Sequence, residues 1–538
     1  MMTPKTLSGI PVKVSSAQIT THPMFAIFGV LLGACVSVFT GRLLTVGLAD
    51  LQGAIGADSD AMSWLSTSYN AASMFVGPLT VFLGAIWGPR RVLLWASAVF
   101  MTSEFICPFV AHNIGVLILL QFIAGLAAGT YYPLTLSAII QNLPLKFIYF
   151  GVAAYSLDIL SSTHIATLLE AWYMSNLSWH WIFWNALCLT PMLVTCIYFG
   201  LPSKPIPKQG PATNIWGFLY ASVAFTFLYC ALDQGNRLDW SNSGTIVGLA
   251  VSGIIMIAVT LIRRIRRPHP MLNLRFLLSR NLLLLGAVLV CFRFLLLGPT
   301  LLLPNFLALL HGYRPDQTGG VLSWISIPVM IAAPISGFVL YKVDSRLSCA
   351  FGFLLIGIAS FLNAKLDPGW TGETFIITEL INAFGLAFAL TGLLATILRS
   401  AFALGALSNP VNVLSLSCWF QTCRLFGAEI GKALMLQFLR VQGAFHYLVL
   451  AGNLDGGWRS EEMIRPIILS GPLAGAGMSQ SRELALSEAG ETLKRQVGML
   501  SISDGFMLIM WCVIFCLVLI GFITYSAPLP VRSAPQPK

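Results

Sequence analysis

The sequence predicts an all-α membrane protein with about fourteen transmembrane helices, and its composition, its apolar segments and its charge distribution lead to this prediction. Hydrophobic residues make up 57% of the 538 residues and charged residues only 10%, against roughly 25% charged in an ordinary soluble domain. Apolar stretches recur along the whole chain, each long enough to cross the roughly 30 Å hydrocarbon core as a helix. Membrane-spanning helices are therefore the expected architecture.

The predicted spans follow the apolar stretches in chain order. They are 23–48, 61–85, 91–111, 115–139, 147–172, 180–201, 213–232, 242–262, 281–304, 317–340, 347–364, 372–396, 409–437 and 500–525.

The distribution of Lys and Arg predicts that both termini are cytoplasmic, because cytoplasmic loops are enriched in these residues. With that orientation, the short external loops hold only Arg237, Arg314 and Lys365. The cytoplasmic segments hold Lys5, Lys13, Arg90, Arg91, Lys146, Lys204, Lys208, Arg263, Arg264, Arg266, Arg267, Arg275, Arg280, Lys342, Arg346, Arg399, Arg532 and Lys538. If one helix had been missed or wrongly added, every later loop would change sides, and the excess of Lys and Arg in the cytoplasmic segments would be lost.

Two linkers divide the predicted spans as six, two and six. A Pro-rich stretch at 201–212 breaks helical periodicity, and a basic segment with two prolines follows at 263–280. This gives a cytoplasmic tail at 1–22, a six-helix bundle at 23–201, a linker with two extra spans at 202–280, a second six-helix bundle at 281–525, and a tail at 526–538. Two similar bundles indicate duplication, which is common among transporters.

The one large loop, predicted at 440–499 and on the periplasmic side, has nearly balanced charges and helical character at 481–499. It is either an external cap or a docking surface for a periplasmic partner.

The net charge of +10 does not indicate nucleic-acid binding. Its positive residues lie beside helix ends, where they orient the helices and meet anionic lipid. Nearly all of the 11 cysteines lie inside predicted spans, so no disulfide or metal framework is predicted. The first 22 residues lead directly into a span too long for a cleavable signal, and we expect that span to be retained as an anchor.

Several segments carry a family resemblance. They are Gly84–Arg91 after the second span, Gln121–Gly129 with Tyr132–Leu134 in the fourth, Trp179–Asn185, Leu232–Gly235, and Arg424–Gly427 with Gly431. Together they resemble the fourteen-span drug:proton antiporters of the major facilitator superfamily, the EmrB-like exporters. The resemblance implies the major facilitator fold and proton-coupled efflux of small molecules. It also implies a bacterial inner membrane and a periplasmic adaptor with an outer-membrane channel.

The chain departs from that family at residues the family uses for function. Thr40, Ala85 and Gln121 stand where Asp, Asp and Arg are usual, and Ala166–Ala171 replaces the fifth-span antiporter signature. The usual coupling chemistry therefore does not transfer directly, and an uptake permease of the same fold is an alternative.

Charged residues inside spans are the first functional candidates, because each costs at least about 2.5–3.5 kcal/mol on insertion scales. They are Arg42, Arg293, Arg424 and Lys432, and Asp158, Glu170, Glu379 and Glu429. The equal numbers of each sign indicate internal ion pairs, since pairing lowers the cost of leaving water.

The resemblance implies that spans one, four, nine and twelve line the central cavity. Arg42, Gln121, Arg293 and Glu379 are then the predicted substrate-binding wall. Arg293 lies roughly 18 Å into its span, near the midplane where transporter sites occur, and it either binds substrate or forms an internal ion pair. Arg42 and Glu170 are predicted to form a salt bridge, which would act as a gate if Glu170 takes a proton.

Asp158, His164 and Glu170 are the predicted proton-coupling residues of the fifth span. Asp158 lies deepest, and a proton-driven transporter needs a group there that binds and releases a proton. His164 is either a relay or, more often for a lone buried histidine, a packing residue.

A last group is predicted to act in gating or in structure. Arg90 and Arg91 are either topology anchors or inner-gate residues, and Arg424, Gly427, Glu429 and Gly431 lie together in the penultimate span. The segment 427–432 does not match a phosphate loop, because only three residues separate Gly427 from Gly431.

The sequence thus predicts a transporter and not an enzyme, without cofactor or metal, whose partners are a small molecule, protons and lipid. A polytopic membrane enzyme or sensor is the alternative from another class. It would need a catalytic constellation in a loop, and the 440–499 loop has no Cys and no His besides His446.

Overall fold

A computed structural model describes residues 23–142, 147–201, 215–265, 274–405, 410–452 and 478–524. Within these ranges all regular structure is helical. The long helices are α1 Pro23–Val46, α2 Ser59–Trp87, α3 Pro89–Ile106, α4 Ile114–Asn142, α5 Ile148–Asn176, α6 Trp181–Gly200, α7 Ile215–Gly235, α8 Gly244–Ile265, α9 Arg280–His311, α10 Pro315–Val339, α11 Ser345–Asn363, α12 Ile376–Ala403, α13 Pro410–Gly452 and α14 Met478–Gly521.

The predicted fold class is confirmed. Among the described residues, 13 helices are long and apolar enough to cross a membrane. A bent pair, Leu31–Val46 of α1 with the short helix Leu48–Ile55, makes a fourteenth span with an angle of 61°. The midpoint of α9 contains a π-helical turn at Gly298–Leu302, where Pro299 has no backbone N–H to donate.

Two long helices extend beyond their predicted spans. Helix α13 continues to Gly452, past the predicted end of its span at 437, and α14 begins at Met478, which agrees with the helical character predicted at 481–499 before the last span. Apolar side chains such as Val441, Phe445 and Leu448 continue beyond the predicted end of the span, so the local signal for helix persists there. The loop predicted at 440–499 is therefore helical at 440–452 and 478–499, and its residues 453–477 lie outside the described ranges.

Buried side chains form two main cores. One contains residues of α1–α7 together with Leu414 and Cys418 of α13. The other contains residues of α9–α14 together with side chains of α1, α4 and α5. The predicted division into two six-helix bundles, α1–α6 and α9–α14, with 202–280 between them stays a prediction.

Two seams join the bundles, one between α5 and α10 and one between α2 and α13. Helix α10 lies close to α5 at both ends, since a Cβ atom at Gly319 or Gly337 would come within 2.8 Å of Leu168 or Ala153. In the other seam, a Cβ atom at Gly84 would lie 3.4 Å from Leu414. The bundles therefore face each other across a closed central region.

The end of the α5–α10 seam that is predicted to be cytoplasmic carries a polar contact between the bundles. Arg399 of α12 donates to the Tyr149 hydroxyl of α5 at 2.9 Å and pairs with Asp344 at 3.3 Å. Throughout, the predicted cytoplasmic side is called inner and the opposite side outer.

Inside the first bundle, α4 packs very closely on α2 through Gly125 and Gly129. A Cβ atom at Gly129 would lie 2.7 Å from Ser73 Cα, and one at Gly125 would collide with the backbone of Tyr69. Only small residues allow helix backbones to come so near, so both glycines serve helix packing.

The replacement Gly129→Ala should therefore destabilise the protein, by about 1–3 kcal/mol as in other overpacked cores. The thermal unfolding midpoint in detergent would measure the loss. Gly248→Ala in α8 is the matched control, because nothing lies within 4 Å of a Cβ atom there. Equal midpoints for the two variants would contradict the close α2–α4 contact.

Candidate functional site

Three arginines from three helices share one buried region between the bundles. Arg293 of α9 experiences the charges of Arg42 of α1 and Arg424 of α13. The Nε atoms of Arg42 and Arg293 are buried, and neither has a hydrogen-bond partner within the described ranges. Like charges gathered in a region of low dielectric favour binding of an anion, because an opposite charge offsets their desolvation. We call Arg42, Arg293 and Arg424 the arginine cluster.

Arg424 is held in place by its neighbours. Its guanidinium carbon lies 3.9 Å from the ring centroid of Tyr132, and its Nε donates to Gln421 at 3.1 Å. A cation over an aromatic ring is stabilised by about 0.5–2 kcal/mol. These two contacts orient the guanidinium. In the part of the chain that the structure describes, no carboxylate oxygen lies within 4 Å of its nitrogen atoms.

Two carboxylates lie beside this cluster: Glu429 of α13, whose charge acts on Arg293, and Asp158 of α5. Asp158 interacts electrostatically with Arg424. One oxygen accepts a bond of 3.5 Å from the Ser162 hydroxyl, and the other is buried without a hydrogen-bond partner among the described residues. The deepest of the three predicted coupling residues is therefore brought next to Arg424.

His164 and Glu170 lie further towards the outer end of α5. His164 is fully buried, it interacts electrostatically with Arg42, and neither ring nitrogen has a hydrogen-bond partner in the described structure. Glu170 lies next to Asp50 of the short helix after α1.

The predicted Arg42–Glu170 salt bridge is wrong. Glu170 lies beside Gly47, where a Cβ atom would be 3.3 Å from its Cγ, and neither of its oxygens has a hydrogen-bond partner within the described ranges. Gly47 is five residues beyond Arg42 in the chain, which corresponds to roughly 7 Å along a helix. Arg42 is directed instead to the region of His164 and Arg293.

Gln121 does not join Arg42 and Arg293 in one polar wall, contrary to the prediction. Its amide donates to both oxygens of Glu104 in α3, at 3.3 and 3.4 Å, and lies 3.3 Å from Cys107. Both side chains are fully buried inside the first bundle. A buried carboxylate needs a donor, and Glu104 takes the one that Gln121 offers.

Glu379 is likewise directed into its own bundle. Its carboxylate accepts bonds from Asn363 of α11 at 3.2 Å and from Asn382 at 3.1 Å. Of the four residues in the predicted wall, the structure therefore brings together only Arg42 and Arg293.

The sequence reasoning missed two buried carboxylates, Glu104 and Asp233. Glu104 lies in the predicted span 91–111, so the rule that singled out the other intramembrane charges applies to it equally. Asp233 lies one residue beyond the predicted end of its span, although α7 continues to Gly235. Asp233 pairs with Lys432 at 2.7 Å, and Lys432 is also 3.8 Å from Glu429.

The predicted gating or structural residues occupy three different settings. Arg90 stacks on Tyr198 of α6 at 4.6 Å, inside the first bundle, and Arg91 is exposed. A Cβ atom at Gly427 would lie 3.3 Å from Arg293 Cγ, and one at Gly431 would lie 3.2 Å from Phe294 Cα. These two glycines place α13 directly on α9 beside the arginine cluster.

An apolar cavity opens between the bundles on the inner side of the arginine cluster. It is lined by α4, α5, α12 and α13, through Leu136, Ile140, Gly151, Val152, Tyr155, Leu394, Ile397, Leu398, Leu416 and Phe420. The ring centroid of Tyr155 lies 5.2 Å from that of Tyr132, on which Arg424 stacks. A small apolar cavity of about 20 Å³, roughly the space of one water molecule, thus adjoins a positively charged region. If the surrounding helices separate there, the two together become complementary to an amphipathic anion.

A separate group of thiols lies where α9 meets α14. The sulfur atoms of Cys291, Cys512 and Cys516 lie within 4.8 Å of one another. Their neighbours Ile509 and Val513 are buried and apolar. Because cysteine thiols behave as small apolar groups in such surroundings, we interpret this cluster as helix packing.

The chain is similar to known proteins in both sequence and structure. The sequence profile of the Major Facilitator Superfamily matches residues 30–431. The chain is 25% identical over 430 residues to the probable multidrug resistance protein EmrY of Escherichia coli, covering 79% of this chain and 81% of that protein. It is 25% identical to the multidrug export protein EmrB of Haemophilus influenzae, covering 79% and 82%.

A further relative is the fatty acid resistance protein FarB of Neisseria gonorrhoeae, 23% identical over 389 residues, covering 71% of this chain and 76% of FarB. Among solved structures, the human organic anion transporter MFSD10 has the same fold, with a TM-score of 0.54 and 13% sequence identity. The match covers 91% of this chain and 99% of that one.

The pairing of Gln121 with Glu104 predicts a structural effect. Gln121→Leu should lower stability by about 1–3 kcal/mol, because the buried Glu104 carboxyl loses its amide donor. Thermal unfolding in detergent would show the change. Gln437→Leu, at an exposed position of α13, is the control. An unfolding midpoint as high as that of the control would argue against this pair.

Proposed function

The chain belongs to the Major Facilitator Superfamily, and from that membership we propose that it is a proton-coupled exporter of small amphipathic or anionic compounds. It is a multi-pass membrane transporter, and we place it in a bacterial inner membrane because the bacterial relatives that it matches are multidrug export and resistance proteins. The proposed direction is outward, as the names of these relatives indicate.

The observation that carries the proposal is the apolar cavity next to the arginine cluster. An aliphatic or aromatic tail would lie against Val152, Leu394 and Leu416 in the cavity. An anionic head would reach Arg424 and Arg293, and guanidinium groups form strong, charge-assisted hydrogen bonds with carboxylates. FarB, the relative named for fatty acid resistance, supports a substrate that has an apolar tail and an anionic head.

Proton coupling is proposed to use Asp158. This carboxylate shares its surroundings with Arg424, so its protonation changes how much positive charge the cluster presents to a substrate. A buried acid near the centre of a transporter is a suitable site for a coupled proton. His164 and Glu170 extend the same helix outward and are secondary candidates for carrying that proton.

A periplasmic adaptor with an outer-membrane channel is the proposed partner. Helix α14 has 44 residues, which at 1.5 Å per residue gives about 66 Å, twice the thickness of the hydrocarbon core. Gly498 contacts Leu309 at the outer end of α9, so the residues of α14 before 498 extend outward. His446 of α13 pairs with Asp504 at 2.7 Å and fixes the two long helices together. This extension offers an adaptor a rigid surface.

Everted vesicles would test the proposed function. Addition of an amphipathic carboxylate such as a medium-chain fatty acid should release protons from the vesicle lumen, and the release should depend on the protein. Uptake of the compound into the vesicles that continues unchanged after the proton gradient is collapsed would rule out coupling. Accumulation in intact cells that rises on expression would indicate uptake instead of export.

Arg293→Ala should abolish transport while the protein remains in the membrane, because the substrate head loses a buried cation. The measurements are transport in vesicles and the amount of protein in the membrane fraction. Arg495→Ala, at an exposed position of α14, should transport normally. Loss of the Arg293→Ala protein from the membrane would assign Arg293 a structural role.

Asp158→Asn should remove the dependence of transport on the proton gradient, because an amide keeps the shape of the side chain but cannot exchange a proton. Initial rates measured with and without an imposed gradient would become equal. Asp316→Asn, at the exposed start of α10, should keep the parent's dependence. If transport by the variant still depends on the proton gradient, the coupled proton binds at a residue other than Asp158.

A further inference from the structure

Helix α7, the first of the two spans between the bundles, lies against α2 along its whole length. Near the inner end the rings of Phe218 and Phe82 are 6.0 Å apart. In the middle, Tyr229 packs in one apolar cluster with Ala71 and Met74. Further contacts follow at the outer end, where Asp233 accepts from Thr67 of α2 at 2.5 Å.

The contact of α7 with α13 is confined to the outer half. It begins where Phe225 meets Phe426, with ring centroids 5.5 Å apart. Beyond that point it is polar: the Tyr229 hydroxyl donates to Glu429 at 2.8 Å, and Lys432 pairs with Asp233 at 2.7 Å. We call Tyr229, Asp233, Glu429 and Lys432 the latch.

The turn after α7 adds two more bonds to α13. The Asn236 amide donates to the Ala433 carbonyl at 3.2 Å, and Arg440 donates to the Asn236 carbonyl at 2.9 Å. All these contacts lie at the outer end of the α2–α13 seam. Helix α7 therefore bridges the two bundles on the side through which an exported compound would leave.

The two contacts of α7 differ in extent. The contact with α2 buries apolar side chains at the inner end and in the middle and is polar only at the outer end. About 25 cal/mol is lost per Å² of apolar area that enters water when such side chains separate. The contact with α13 has apolar packing only around Phe225 and Phe426, and its ion pair is half open to solvent, since Lys432 exposes 39% of its side chain and Asp233 exposes 8%. The shorter α7–α13 contact is thus the easier one to open, provided that Asp233 gains water or another donor when Lys432 leaves.

We propose that the outer gate opens between α7 and α13, at the latch, while α7 moves together with α2 as part of the first bundle. This inference rests on the proposed transport function, since a transporter of this kind exposes its site alternately to each side. It assigns the inserted helix a role: α7 lines the outer exit path, and the latch carboxylates face that path when it is open.

Two engineered cysteine pairs test this directly, in a background with the exposed Cys188 replaced by Ser. The pair Asn236→Cys with Ala433→Cys joins α7 to α13, and the pair Ser63→Cys with Gln234→Cys joins α7 to α2. In each pair the side-chain amide of one residue lies within hydrogen-bond distance of the backbone carbonyl of the other, at 3.2 Å and 3.4 Å. A short bis-methanethiosulfonate reagent, which spans more than a direct disulfide and is removed by reduction, should cross-link each pair in the purified protein and in vesicles.

The α7–α13 cross-link should abolish transport of the amphipathic carboxylate, and reduction should restore it. The α7–α2 cross-link should leave transport at the rate of its reduced form. The reverse pattern would show that α7 moves with α13. Loss in both cases, or in neither, would also overturn the inference. A parent protein that moves no substrate would instead refute the proposed function, because cross-link formation is scored independently of transport.

Discussion

The cost of placing a charged group in hydrocarbon governs how this protein is arranged. An ion at the bilayer centre costs several kcal/mol unless it finds a partner or a polar cavity. Glu104 and Glu379 meet this requirement inside their own bundles, through Gln121 and through two asparagines. The arginine cluster meets it differently, because its members gather between the bundles where a substrate would bind.

Close helix packing supplies the rigid frame for that site. Gly125 and Gly129 bring α4 onto α2, and Gly427 and Gly431 bring α13 onto α9. Each bundle can then move as a unit, because its helices are held by backbone-to-backbone contact that a side chain would disrupt. The seams between the bundles combine apolar packing with polar contacts at their ends, such as Arg399 with Tyr149 on the inner side. These terminal polar contacts are the natural points of opening.

The arrangement of charges also relates the site to the gate. The arginine cluster lies between the bundles, and the latch follows further along α13, towards the side called outer. Gly427 touches Arg293, and two residues later Glu429 accepts a hydrogen bond from Tyr229 of α7. Helix α13 thus carries residues of both the proposed binding site and the proposed gate. A movement of α13 on substrate release would therefore displace residues in both.

The sequence by itself determined the fold class and the positions of most spans, because the length and apolarity of a span are local properties that the bilayer imposes. It also identified Arg42, Arg293, Arg424 and Asp158 as intramembrane charges, for the same reason. It did not determine which partner each buried side chain meets. Gln121 was expected beside Arg293 and meets Glu104, and Glu170 was expected to pair with Arg42 and lies beside Asp50. Those partners depend on the rotation of each helix about its axis and on its neighbours, which only the tertiary structure decided.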